Sequence, residues 1–533
     1  MKKGIVGLAL IFAFSIVYGA PIDDIRNAAQ KGDSLAQCQL GNIYFSGMGG
    51  AQDYELARFW YLKSANNDNS DAANNLGNIY FFGLGVKIDY KEALTWYIRG
   101  SSFRKLGFMY KNGLGTSVDY KKALESYELA SQMYGYNISA FITAGFYYNG
   151  WGVKQSLDET IKRLQKVSQE SAWISQSIID IISSAESKNK LTEIENAAGN
   201  KDAKAQTILG IMNLSGIAVK QNQSEAVNIL ESAANNGNSS AQYFLGIIYT
   251  ETAFFKPQEG AKWFQKAAEQ GHIGAQDELG YRYEMGNGVR LDYQEAAKWY
   301  QRAADKGYQD AQYALGYLYE NGQGVRKDYQ EAAKWYQKAG EHILAQYSLG
   351  VLYELGKGVT QNYQTAMNLY QMSAEHGDAS AQYALGNMYQ NAIGIKQDYA
   401  KAAPYYVKSA EKGNILAQNS LAYMYYNGLG VAQNYGKSFE LYMAAAKNGS
   451  ANAQYNIGKM YEFGKGVGRD YKEALQWYIK AAEQGNSDAQ CSLGWFYENG
   501  RAVKQDRQEA FKWYKKAAEG GNSYAKQLIL GQI

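Results

Sequence analysis

Apolar residues recur at helical spacing along most of the chain. Ala311, Leu315 and Tyr319 lie four apart, and Tyr329, Ala332, Tyr336 and Ala339 follow at intervals of three and four. Each set falls on one face of an α-helix. Between them, Asn321-Gly322 suits a left-handed C-cap, because glycine has no Cβ to clash in that backbone conformation. Asp328 is placed to accept from the free amides of the next helix, and Glu331, three residues on, predicts a capping-box-like pair in which the cap contributes ~1 kcal/mol. The same spacing appears at Asp89 with Glu92, Asp292 with Glu295, Asp470 with Glu473 and Asp506 with Glu509. The unit predicted is a helical hairpin.

The hairpin repeats, and its glycine serves as a ruler: Gly41, Gly77, Gly107, Gly145, Gly210, Gly246, Gly280, Gly316, Gly350, Gly386, Ala422, Gly458 and Gly494, most neighbours being 34 or 36 residues apart. Helices of about a dozen residues are marginal alone in water, so each hairpin must bury its apolar stripe against the next. The expected fold is all-α: a solenoid of about 13 stacked antiparallel hairpins, with one further degenerate unit. That extra unit comes from the 65-residue interval between Gly145 and Gly210, where Ser171 to Ser187 is apolar and helical without a glycine-rich loop. Segment 171–200 is therefore expected to be a degenerate hairpin and a hinge, dividing repeats 20–170 from repeats 201–533 with their terminal caps. The interval from Gly77 to Gly107 is only 30 residues, which predicts a shortened second helix near Arg99 to Phe103. Pro257 falls at a helix start, where a missing amide costs little, whereas Pro404 falls inside a helix and predicts a kink.

The phrases Ala-Gln-x-x-Leu-Gly-x-x-Tyr, Asn-Gly-x-Gly-Val, Asp-Tyr-x-Glu-Ala and Trp-Tyr-x-x-Ala-Ala resemble Sel1-like repeats, relatives of tetratricopeptide repeats. The resemblance implies a right-handed superhelix of hairpins acting as an adaptor, a role that in this family includes bacterial envelope and host-interaction proteins. In tetratricopeptide-like stacks the first helices line the concave surface, and the variable positions lie three before, one after and four after the ruler glycine. Here those positions are aromatic near the start and carry glutamate over much of the second half. The surface expected to bind a partner comprises Phe45, Phe81, Trp151, Tyr281, Glu284, Tyr317, Glu320, Glu354, Asn387, Tyr423, Trp495 and Glu498. Such a groove suits a protein or peptide with basic residues, with tyrosine and tryptophan as anchors. The competing readings are that the glutamates only keep the face solvated, or that the aromatic rows stack on peptidoglycan or another polysaccharide. Cell-wall or β-lactam hydrolysis ranks third, and the chain lacks the cysteine pair per repeat of the cysteine-rich branch to which β-lactam binding belongs.

Met1-Lys2-Lys3 followed by an apolar stretch to Val17 is the pattern of a secretory signal peptide, 1–19, with cleavage expected between Gly19 and Ala20. The mature protein is then exported, periplasmic or secreted. A net charge of +3 without long charged runs gives no footprint for nucleic acid, and no later stretch is long and apolar enough for membrane insertion. His272, His342 and His376 are expected to be solvent-facing turn residues. No zinc motif or activated-serine motif occurs, and Gly464 to Gly468 is an ordinary inter-helix loop, so no catalytic residue, metal or cofactor is expected. Cys38 and Cys491 occupy matching positions in the first and last clear units. Twelve hairpin steps of ~10 Å would part them by far more than the ~7 Å a disulfide allows.

Overall fold

The computed structural model describes residues 21–47, 51–67, 69–134, 137–167, 169–251 and 256–530. The signal-peptide segment lies outside these residues. Among the described residues there are 30 α-helices in paired hairpins and no strand, which is the all-α hairpin solenoid expected.

The loops close as their residues dictate. The first helix Ile343–Leu355 ends at Gly356 with φ 65°, and Ala451–Phe463 ends at Gly464 likewise with φ 65°. Helix Ala379–Asn391 ends instead at Ala392, which is held at φ 58°. A side chain in left-handed backbone costs ~1–2 kcal/mol. Ala392→Gly should therefore stabilise the fold by ~0.5–1 kcal/mol after the added freedom of the unfolded chain is subtracted, read as a higher denaturation midpoint.

Most second helices start on an aspartate or asparagine, with Ser156 and Lys256 among the exceptions. Asp292 accepts from the amides of Gln294 and Glu295, both at 3.0 Å. The capping box expected from Glu331 and its equivalents does not close. The aspartate's own amide instead donates to a first-helix tyrosine carbonyl, as from Asp292 to Tyr283 at 2.9 Å and from Asp470 to Tyr461 at 2.9 Å. The glutamate turns outward, pairing Glu295 with Lys298 at 2.6 Å and Glu509 with Lys512 at 2.9 Å.

Two recurrent residues acquire a reason in three dimensions. The Gln of each Ala-Gln phrase is buried, and its amide donates to a carbonyl near the end of the preceding helix: Gln242 to Ala234 at 3.0 Å, Gln312 to Ala304 at 3.0 Å, Gln490 to Ala482 at 3.1 Å. Each of those carbonyls also accepts from the glycine amide of the turn that follows, as Ala304 does from Gly307 at 2.9 Å, so the glutamine fills its second lone pair. Most ruler glycines lie against an aromatic ring of the hairpin partner, and a Cβ on Gly350 would sit 2.7 Å from the Tyr370 ring, whereas Gly210 faces Leu230.

The chain forms two compact units, one ending at Asp328 and the other beginning at Tyr329. In the second unit regular hairpins run from Ile343–Leu355 with Tyr363–Glu375 to Ser487–Asn499 with Arg507–Glu519, and Ser523–Leu530 covers the last. Helix Tyr399–Glu411 continues through Pro404. In the first unit helix Pro21–Gln30 covers the leading hairpin, packing Ala29 on Leu40 and Ile43. Helix Tyr90–Arg99 has 10 residues where most second helices have 13, the shortening the spacing predicts.

The first unit also folds back on itself. Helix Asn137–Asn149 packs on Ala203–Ser215, with the Asn149 amide donating to the Gly216 carbonyl at 2.8 Å and Phe141 edge-on to Phe244 at 6.0 Å. Ile174, Ile178 and Ile181 of the degenerate hairpin are buried in the same core. Glu170 reaches the start of helix Ile273–Met285 and accepts from Ile273 at 2.6 Å and Gly274 at 3.1 Å. His272 is here a correction to the sequence reading. It is 5% exposed, stacks on Tyr243 at 4.5 Å and caps the helix through Nδ1, accepting from the Ala275 amide at 3.3 Å. His342 is half-buried and makes the same cap at 3.2 Å, while His376 is exposed.

Candidate binding face

The three variable first-helix positions have different surroundings in the two units. In the second unit the position after the ruler glycine carries Val351, Asn387, Tyr423, Lys459 and Trp495. Tyr423 is 48% exposed and the others are half-buried. Three residues before the glycine, Tyr347, Tyr383 and Tyr455 lean on Tyr370, Tyr406 and Tyr478 with ring centroids 5.7, 5.8 and 5.9 Å apart. The result is a tyrosine-lined strip bordered by Glu354, Glu462 and Glu498.

In the first unit the same positions are largely covered. Asn42 and Asn78 are 4% exposed and Ile211 and Ile247 at most 1%. Phe45 packs edge-on to Tyr54 at 5.4 Å, and Phe81 is buried against Tyr90 at 5.2 Å. Trp151 stacks on Tyr120 at 6.3 Å, with the Lys111 ammonium 4.1 Å above its ring. The Lys111 ammonium also donates to Gln221 at 2.8 Å, and burial draws its pKa down to about 8. Tyr281, Glu284, Tyr317 and Glu320 are half-buried.

The glutamate row has an internal task that sequence reading missed. Tyr300 donates to Glu284 at 2.7 Å, Tyr370 to Glu354 at 2.6 Å and Tyr514 to Glu498 at 2.7 Å, and Tyr478 donates to Glu462. A buried tyrosine needs an acceptor for its hydroxyl. In the early hairpins, where Phe45 and Phe81 replace glutamate, the acceptor moves to the neighbouring face: Tyr61 donates to Asn42 at 2.7 Å and Tyr97 to Asn78 at 3.0 Å. Where the ring position holds Leu164, Leu230 or Phe264 there is no hydroxyl, and the residues at the glutamate position are Tyr148, Leu214 and Thr250. The pairing is partial, since Tyr127, Tyr406 and Tyr442 stand opposite Lys111, Gln390 and Tyr426, and it marks the carboxylates Glu284, Glu354, Glu462 and Glu498.

Glu284 also titrates unusually. Burial, with Asp71 nearby, raises its pKa from 4.5 to about 7, although the Tyr300 hydroxyl pulls the other way. The folded chain thus holds a proton that the unfolded chain has released between these two values, so stability falls as pH rises through that window. Asp71 and Asp277 are shifted up as well, and contribute in the same direction. The expected result is a lower denaturation midpoint at pH ~8 than at pH ~5, with a smaller difference in Glu284→Gln.

Among the described residues no group of three or more His, Cys, Asp or Glu could hold a metal ion, and no helix is long and apolar enough to cross a membrane. Cys38 and Cys491 are free buried thiols, and burial pushes both up in pKa.

A tyrosine-lined helical face on a stack of short hairpins defines a repeat scaffold. The Sel1 repeat family matches at residues 34–69, 70–102, 104–134, 203–238, 239–272, 273–308, 309–342, 343–378, 379–414, 415–450, 451–486 and 487–522, and the chain belongs to that family. The unit around Gly145 lies outside these twelve matches, although Asn137–Asn149 and Leu157–Leu164 form a hairpin there. A protective antigen of uropathogenic Escherichia coli displaying an SLR fold is 30% identical, with 82% of this chain and 88% of that one covered and a TM-score of 0.57. A Sel1 repeat protein from Oxalobacter formigenes is 32% identical, with 57% of this chain and 90% of that one covered and a TM-score of 0.45. A search of curated proteins finds no match. Sel1 repeats generally mediate protein–protein binding, and the fold and family make this chain a scaffold of that kind.

Proposed function

We propose that the protein is an exported scaffold that binds a protein or peptide through the first-helix face of its second unit, serving as an adaptor in a bacterial envelope or at a host surface. The observation that carries the reading is the contrast in exposure at one repeat position: Tyr423 is 48% exposed and Trp495 half-buried, whereas Ile211 and Ile247 are buried. Large aromatic rings left accessible at a position that is elsewhere core are suited to anchor a partner, because they bring much contact area at low entropic cost. Glu354 and Glu498 border the strip and favour basic groups on the partner. Asn387 supplies a polar contact between them. The similarity to a bacterial protective antigen and the apolar stretch after Lys3 support export.

Co-sedimentation with purified peptidoglycan tests the choice of ligand, and fractionation of the producing cell tests location. A protein-binding face leaves the chain in the supernatant of the glycan assay, with the mature chain outside the cytoplasm. Saturable pelleting that Tyr423→Ala reduces would transfer the face to polysaccharide.

A further inference from the structure

Among the described residues, large apolar side chains left exposed on first helices are confined to the second unit. They are Leu344, Leu355, Leu416, Tyr423 and Phe463, each between 44% and 57% exposed. In the first unit the exposed apolar residues lie on second helices and loops, as Phe59 does on Tyr54–Asn66 and Ile98 on Tyr90–Arg99.

Their placement alternates along the stack. Helix Ile343–Leu355 carries Leu344, Tyr347 and Val351 on one stripe, and helix Ile415–Asn427, two hairpins on, carries Leu416, Asn419 and Tyr423 at the same positions. Helix Ala379–Asn391 between them carries Ser380, Tyr383 and Asn387, with Gln390 and Asn391 at its end. The Asn391 amide donates to Asn387 Oδ1 at 2.6 Å, and Gln390 Oε1 is buried with no hydrogen-bond partner among the described residues. That oxygen is an acceptor which an incoming N–H would satisfy. Two apolar patches thus flank a step rich in carboxamides.

First helices of successive hairpins lie ~10 Å apart, which puts the two patches ~20 Å apart. An extended chain rises ~3.3 Å per residue and turns alternate side chains the same way, so residues about six apart reach both patches from one side. Over that interval its N–H and C=O groups are free, and a carboxamide both donates and accepts. A helix would instead bring a main chain already satisfied within itself. Glu354, held by the Tyr370 hydroxyl at 2.6 Å, stands beside Leu355 and favours a basic group at the first patch.

We propose that this face takes an extended peptide segment with two apolar residues about six apart, one seated at Leu344 and Val351 and the other at Leu416 and Tyr423. The carboxamides of helix Ala379–Asn391 hold the main chain between them, and a basic residue adjoins the one at Leu344. The inference rests on the protein or peptide binding proposed above and adds what distinguishes one segment from another.

The test is selection of a random-peptide phage library against the mature chain, followed by fluorescence anisotropy with the selected peptides. These are expected to share two apolar residues about six apart with a basic neighbour. Leu344 and Leu416 are exposed, so Leu344→Ser and Leu416→Ser should keep helical circular dichroism unchanged while each weakens binding roughly tenfold. N-methylation of the peptide between its two apolar residues removes main-chain donors and should also weaken binding. Selected peptides with apolar residues at intervals of three and four that turn helical on binding, or no effect of N-methylation, would overturn the proposal. Binding lost in Tyr423→Ala but kept in Leu416→Ser would overturn it too, while leaving the binding face in place. Absence of any selected peptide would remove both.

Discussion

Gly430→Ala is expected to destabilise the second unit by about 3 kcal/mol, through two costs that add at one atom. Gly430 sits at φ 66°, and a Cβ there would lie 2.3 Å from the backbone carbon of Tyr399 in the preceding second helix. The left-handed backbone accounts for ~1–2 kcal/mol and the clash with a neighbouring main chain for the remainder. Gly464→Ala is the matched comparison, because its φ is 65° but the nearest atom is the Arg469 side chain at 3.3 Å. It should lose only the first part, ~1–2 kcal/mol. The chain itself carries Ala218 and Ala502 at positions equivalent to Gly430, with φ 59° and 57°. Other hairpins thus accommodate both the backbone conformation and a Cβ at this position, and the difference between the two variants reads the cost of moving the Tyr399 main chain away from the new Cβ. Urea denaturation of both variants gives the comparison, and equal losses would remove the close-approach explanation.

The second large effect is on binding. Tyr423→Ala and Trp495→Ala remove rings from the first-helix face; the Tyr423 ring is 48% exposed, whereas Trp495 is half-buried, edge-on to Phe496 at 5.7 Å and packed on the core of its hairpin. Helical circular dichroism and the denaturation midpoint should change little in Tyr423→Ala, whereas Trp495→Ala should also lower the midpoint because its ring packs on Phe496. Truncating an aromatic anchor at an interface typically costs ~2 kcal/mol or more, so each change should weaken partner binding by roughly thirtyfold. Glu354→Gln should act differently, because Glu354 also accepts from the buried Tyr370 hydroxyl at 2.6 Å. It should lower stability by ~1–2 kcal/mol along with any loss of affinity.

Much of the architecture was legible because it is written many times. The loop glycines and the Asp or Asn at most second-helix starts each mark a local conformation that only a few residue types adopt, and the ruler glycine marks a close approach between helices. The short helix at Tyr90–Arg99 followed directly from a 30-residue interval. What escaped depends on contacts far apart in sequence. His272 reads as a turn residue until Tyr243 and Glu170 are brought to it from 29 and 102 positions away. The coverage of Asn42, Ile211 and Ile247 arises because the first unit folds back, and no periodicity encodes that return. The twelve residues marked in the sequence thus have two kinds of surroundings. Phe45, Phe81, Trp151, Tyr281, Glu284, Tyr317 and Glu320 lie in the folded-back unit, whereas Glu354, Asn387, Tyr423, Trp495 and Glu498 lie along the open face. The Glu and Tyr pairing recurs at Glu284, Glu354, Glu462 and Glu498, and the geometry gives its reason, a carboxylate accepting from a buried hydroxyl.

The most direct test of the binding face is a crosslinking capture from envelope and secreted fractions, comparing the mature protein with its folded Tyr423→Ala, Trp495→Ala form. One discrete protein recovered by the first and lost with the second is the predicted result. Equal recovery of the same protein by both would contradict the assignment of that face.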